Sequence, residues 1–305
     1  MEKGGGKMKR KSWLIAALGM ILCGGILFGG VMMALNWDFT KLSTVTYETN
    51  IHSPGNDFTA IVVETDTANI TFVPTDEGCS VTCVDDIRAK HQVYVEDGTL
   101  YIINDSNRKW YDHIGIQIGS PKITVRLPQK QYAALTVKAA TGNVSTEGGL
   151  LFGAVEMRLT TGSISLTDLN ASSLLLQTNT GKVDLSRVTC TETVVTIVGT
   201  GTIHGKDITC RELVATGGTG DIILVNVLAG MRLTVTGGTS DVEFIACDAR
   251  DINVSTAIGN VQGTLRSGKT FDAESGTGKV RVPANGGSGS CYIRTKTGDI
   301  HITVE

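Results

Sequence analysis

The sequence predicts an all-β fold, a single-stranded parallel β-helix of about 20 residues per coil behind one transmembrane α-helix. Three observations predict it. A Thr-Gly-x-aliphatic quartet, as in Thr180-Gly181-Lys182-Val183, returns every 19 or 20 residues from Thr141 to Ile300, nine times with small departures at Ser240 and Ile258. Around each quartet apolar and polar residues alternate, and a basic start leads into a long uncharged apolar stretch. A constant period of this size marks repeats that bury their apolar faces only by stacking on neighbours.

The N-terminal segment comes first. Residues 1–12 carry Lys3, Lys7, Lys9, Arg10 and Lys11 against Glu2, a local balance of +4. The 25 residues from Trp13 to Trp37 hold no Asp, Glu, Lys, Arg or His, enough to cross a hydrocarbon layer of roughly 30 Å. The basic side is expected to stay in the cytoplasm and the remainder to lie outside. A cleaved signal peptide is the competing reading of the same pattern. Because the whole chain has a formal net charge of −3, the part after the tail carries −7, which disfavours nucleic acid as a partner.

A polar juxtamembrane linker is expected over 38–57, an irregular β cap with the first coil over 58–134, and regular repeats over 135–305. In the second repeat Val155, Met157 and Leu159 alternate with Glu156, Arg158 and Thr160, which is the period of a strand. Two short strands per repeat follow, with the Gly supplying a bend at positive φ. No proline falls between Gln129 and Val282, where it would interrupt the ladders. Within the cap, Trp110 and Tyr111 form an aromatic loop that suits either a partner contact or a plug for the open end of the solenoid.

The run Lys122-Ile123-Thr124-Val125-Arg126-Leu127-Pro128, then Leu135-Thr136-Val137 and the Thr-Gly series, resembles a bacterial family of adhesin-like β-strand-repeat proteins, from about Phe58 onward. The resemblance implies right-handed parallel β-helices, often behind one membrane helix, and in some cases a link to envelope-stress systems. It implies no catalytic residue.

Aligning the repeats by their Gly places three groups. Asp221, Asp241 and Glu243 form an acidic cluster with His204 nearby, close enough for the paired carboxylates of a polysaccharide-active enzyme, although Asp is also an ordinary turn residue. Leu175, Val195, Val214 and Ile197 form an outward aliphatic patch across three coils, either a contact surface or ground covered by the cap. Cys190 and Cys210 occupy equivalent corners, next to Leu151, Ala171 and Ala229 in the same column, and are candidates for a disulfide or for stacked free thiols. Cys79, Cys83 and His91 lack a metal-site spacing, and Asp221 comes one residue too early for a Gly-rich calcium repeat. No metal or cofactor is expected. The function expected is a membrane-anchored extracytoplasmic binding or scaffolding module of the cell envelope, with an envelope protein or a glycan as partner. An accessory role in envelope stress and a polysaccharide-active β-helix enzyme are the alternatives.

Overall fold

The computed structural model describes residues 6–39, 45–104 and 119–305, in two separate units. One carries helix α1, Gly6–Ala34, in which Trp13–Ala34 is long and apolar enough to cross a membrane. After it Asn36 and Trp37 take left-handed backbone angles, φ 53° and 58°, which cannot continue a right-handed helix.

Among the described residues the other unit has 21 strands, joined in one continuous sheet that wraps into coils. Along one face run the parallel strands β8 (Gln131–Thr141), β10 (Leu150–Thr161), β11 (Ile164–Thr180) and β13 (Thr193–Thr200). Next come β14 (Ile203–Thr219), β15 (Ile222–Thr239) and β16 (Val242–Ile258). The long strands bend round a corner, so their first halves line the second face beside β9 (Val144–Thr146) and β12 (Val183–Cys190). Leu174, Val194, Leu213 and Leu233 stack inside, all buried.

At every quartet but the one with Ser240 the bend takes a positive φ at glycine. At Gly201 φ is +135°, and a Cβ there would lie 1.8 Å from the Gly181 carbonyl oxygen of the coil below. The residue after the Gly holds the next coil. Asn143 Oδ1 accepts from Ser163 N–H at 2.9 Å, and Asp241 Oδ1 from Asn260 N–H at 2.6 Å. A second bend, which the quartet does not announce, puts Asp168, Arg187, Asp207, Asn226 and Ala246 at φ 51–55°. There Arg187 Nη2 donates to Asp168 Oδ2 at 2.7 Å, so an ion pair spans two coils.

The ends depart from the expected order. The first coil, β2 (Ala60–Thr67) with β3 (Asn69–Thr75), pairs with β8 and β9 on its inner side. On its outer side it pairs with β6 (Thr99–Asn104) and β7 (Lys122–Pro128). Antiparallel strands close this end, β5 (His91–Glu96) on β6 and β4 (Ser80–Asp86) on β7. Strand β1 (Tyr47–His52) then pairs with β4, so the stretch read as a linker over 38–57 contains a strand. It is recruited by the backbone groups β4 leaves open, which no local pattern announces.

At the other end the last coil of the chain is not the last coil of the stack. Strands β20 (Ser290–Thr297) and β21 (Ile300–Val304) lie between β16 with β17 (Val261–Leu265) and the outermost β18 (Thr270–Thr277) with β19 (Val280–Arg281). The composition of the two coils explains the exchange. Cys291, Ile293, Ile300 and Ile302 are buried, whereas Val280, in the column of Ile300, is 39% exposed and is followed by Arg281 and Pro283. The more apolar coil gains most from cover on both sides, and charge and proline suit an edge.

Candidate ligand-binding surfaces

Each group read from the repeat alignment has a definite place. Ile222 N–H donates to the Asp241 carbonyl at 2.9 Å, so Asp221 and Asp241 stand on adjacent coils, and Glu243 lies between Ile223 and Gln262. His204 is not part of that cluster. Ile223 separates it from Glu243, and its Nδ1 is 3.3 Å from Asp184 Oδ1, while Lys182 Nζ is 2.6 Å from Asp184 Oδ2. One carboxylate of the cluster also has a backbone role, since Asp241 anchors the Asn260 N–H.

Leu175, Val195 and Val214 pair side by side across three coils, with Ile197 between Gln177 and Thr216. All four are half-buried rather than openly exposed, because neighbours in each column shield their flanks. Trp110 and Tyr111 lie outside the described residues.

Cys190 and Cys210 occupy neighbouring corners, one step beyond the Thr189–Thr209 pair, and both carry free thiols instead of a bridge. Cys190 Sγ lies 3.0 Å from the Ser172 carbonyl oxygen and donates to it. Burial pushes the Cys210 thiol up to about 12, which keeps it protonated. Phe152, and not Leu151, stands beside Ala171 in this column, because an extra residue near Gly148 shifts the register of that coil by one.

A buried polar chain lies beneath the N-terminal coils. His91 Nδ1 is 2.6 Å from Asp85 Oδ1, and His91 Nε2 is 2.8 Å from Thr65 Oγ1, with all three residues buried. The Asp85 Oδ2 atom also accepts from the His91 N–H at 2.9 Å. Cys83 completes a group of metal-capable side chains with Asp85 and His91, within 4.8 Å of one another. Cys79 is not in it. Desolvation raises the Cys83 thiol to about 12, and the Asp85 carboxylate and the His91 imidazole bond each other.

Thr65 also lines a polar groove of about 620 Å³ on the outside of β6, β2, β8, β10 and β11. Register places Glu64, Lys138, Arg158 and Gln177 in one row across four strands. Lys138 Nζ is 2.9 Å from Glu64 Oε1, and Arg158 bonds both Glu156 and the Gln177 side-chain oxygen. Asn104 Oδ1, at the first strand of the groove, is buried and has no partner. Sequence reading missed this groove, because Glu64 and Lys138 are 74 residues apart and meet only through the out-of-order pairing of β2 with β8.

Stacked coils, Gly bends and antiparallel end caps define a β-solenoid protein. The chain belongs to the Toastrack DUF4097 family, whose model matches residues 58–226. No curated protein matches the sequence. Among solved structures, a protein from Bacteroides fragilis called a "putative adhesin" is 16% identical, with 85% of this chain and 97% of that one covered and a TM-score of 0.48. A "putative lipid binding protein" from Parabacteroides distasonis is 15% identical, covering 86% and 98%, with a TM-score of 0.48. Likeness at this level carries nothing about a ligand.

Proposed function

We propose that the chain is a membrane-anchored, extracytoplasmic binding module of the bacterial cell envelope, held by α1 and presenting the side of its solenoid to a glycan or an envelope protein. The polar groove carries this reading. It spans five strands of a rigid stacked sheet and gathers donors and acceptors that converge on one concave surface, which is the general form of a ligand site. The apolar helix after a basic tail supports the anchor and its orientation. The acidic row at Asp221 and Asp241 supports binding rather than turnover, since Asp241 serves the backbone of the next coil.

The test uses the full chain in a non-glycosidic detergent, exposed to envelope proteins and to a glycan panel. Capture that is lost in Lys138→Glu with Arg158→Glu is expected. Capture unaffected by that double change, or none at all, overturns the assignment of this surface. Orientation has its own measurement: protease added to intact spheroplasts should degrade the solenoid, and full protection reverses the topology.

A further inference from the structure

The closing end of the solenoid is tied by side chains of two strands that serve different faces. Strand β4 closes the face of β3 and β7, and β5 closes that of β2 and β6. Between them the chain reverses, with Ala89 N–H donating to the Asp86 carbonyl at 2.8 Å, and His91 returns beside Asp85. Cys83 and Asp85 stand two apart on β4, so both point to the same side of the strand, and both are wholly buried. One ligand atom from each of Cys83, Asp85 and His91 lies within 4.8 Å of the other two.

These three groups suit one kind of ion. Thiolate and imidazole favour zinc over calcium or magnesium, and zinc accepts a carboxylate as well. Tetrahedral zinc, about 2.0–2.3 Å from each ligand, holds the ligand atoms roughly 3.3–3.6 Å apart. Asp85 Oδ1 and His91 Nδ1, 2.6 Å apart, open by less than about 1 Å to reach that spacing. Charge closes too, because a thiolate and a carboxylate neutralise Zn²⁺, which is what burial of ions requires.

Neighbouring groups already orient the ligands. Asp85 Oδ2 accepts from the His91 N–H at 2.9 Å, which leaves Oδ1 facing the ring. His91 Nε2 is 2.8 Å from Thr65 Oγ1. With Nδ1 coordinated, the ring proton sits on Nε2 and is donated to the Thr65 hydroxyl, the kind of bond that fixes the tautomer of a zinc-bound histidine. A hydroxyl both donates and accepts, so Thr65 serves the ring with or without the ion.

We propose that Cys83 Sγ, Asp85 Oδ1 and His91 Nδ1 bind one zinc ion, which clips β4 to β5 and locks the antiparallel closure of the solenoid. Uptake releases two protons, the one on the thiol and the one shared by Asp85 and His91, and a water takes the fourth position. Thr65 is a positioning residue. The site is independent of the binding-module reading.

The experiment purifies the full chain in detergent from cells supplied with zinc chloride and counts zinc per chain by elemental mass spectrometry after gel filtration. One zinc per chain is expected in the native sequence and in Cys79→Ala, which removes a buried thiol outside the cluster, and little or none in Cys83→Ala. Competition with a chelator should show affinity lowered about 10- to 100-fold in Thr65→Val and further in Asp85→Asn, which loses a ligand. Stripping the metal should lower the thermal midpoint of the native protein and leave that of Cys83→Ala unchanged. Protein from cobalt-supplied cells should show thiolate-to-cobalt charge-transfer absorption with the visible bands of a tetrahedral ion. Native protein without zinc, or folded Cys83→Ala that retains as much, overturns the assignment. If Cys83→Ala does not fold, the cobalt spectrum of the native protein decides, and absence of the thiolate band overturns it.

Discussion

Ser240 stands where its neighbours in the column carry Gly, and the coil solves the bend differently there. It is absent from the positive-φ positions that include Gly220 and Gly259, and it is buried. Its side chain turns inward toward two glycines. A Cβ on Gly237 would lie 3.0 Å from Ser240 Cβ, and one on Gly217 would lie 3.5 Å from Ser240 Oγ. These inward glycines make room for a residue that would otherwise clash. The hydroxyl finds no hydrogen-bond partner in that space, which by the usual penalty for an unsatisfied buried group leaves about 1 kcal/mol to be recovered. Ser240→Ala should therefore raise the denaturation midpoint in urea. A lower midpoint would mean that the hydroxyl holds the bend.

At the scale of elements, the bends are where chemistry can be misread. Corners of β12 and β14 bring Cys190 and Cys210 to neighbouring places, yet parallel stacking sends both Cβ vectors the same way, which disfavours a relaxed bridge. The Cys190 thiol instead donates to backbone, and both thiols are buried. Burial raises both from their ordinary range, Cys210 to about 12, which disfavours the reactive thiolate at each. Alkylation of native protein should spare both, and alkylation after denaturation without reductant should label both fully. A non-reduced peptide linking the two would show the bridge instead. This pairing was legible because the Gly spacing sets the corner. The second bend at Asp168, Arg187 and Asp207 was not, because left-handed Asp and Arg carry no mark as plain as Gly.

For the molecule as a whole, the decisive feature is the order of coils. Ile300 is buried between Val261 and Val280, while Val280 at the edge is 39% exposed. Ile300→Ala should thus destabilise the solenoid by about 2–5 kcal/mol, and Val280→Ala by less than about 1. Chemical denaturation followed by circular dichroism measures both. Stacking in chain order would bury Val280 and expose Ile300, and a larger loss at Val280 would establish that order instead.

The same exchange of order marks the limit of what the chain reveals by itself. Period, strand alternation, Gly bends and the apolar N-terminal segment are local properties, so the sequence alone determined the solenoid, its coil length and the columns in which Leu175, Val195 and Val214 meet. Which coil lies against which is a competition between whole coils. Residues 270–281 and 290–304 share one repeat pattern, and either can take the register of 251–265. Only the tertiary structure decided between them, by covering Ile293, Ile300 and Ile302 on both sides and leaving Arg281 and Pro283 at the rim. The groove arose in the same way. Glu64 reaches Lys138 because the first coil pairs with β8 across 74 residues of sequence, a contact made favourable by shared burial and invisible to any local period.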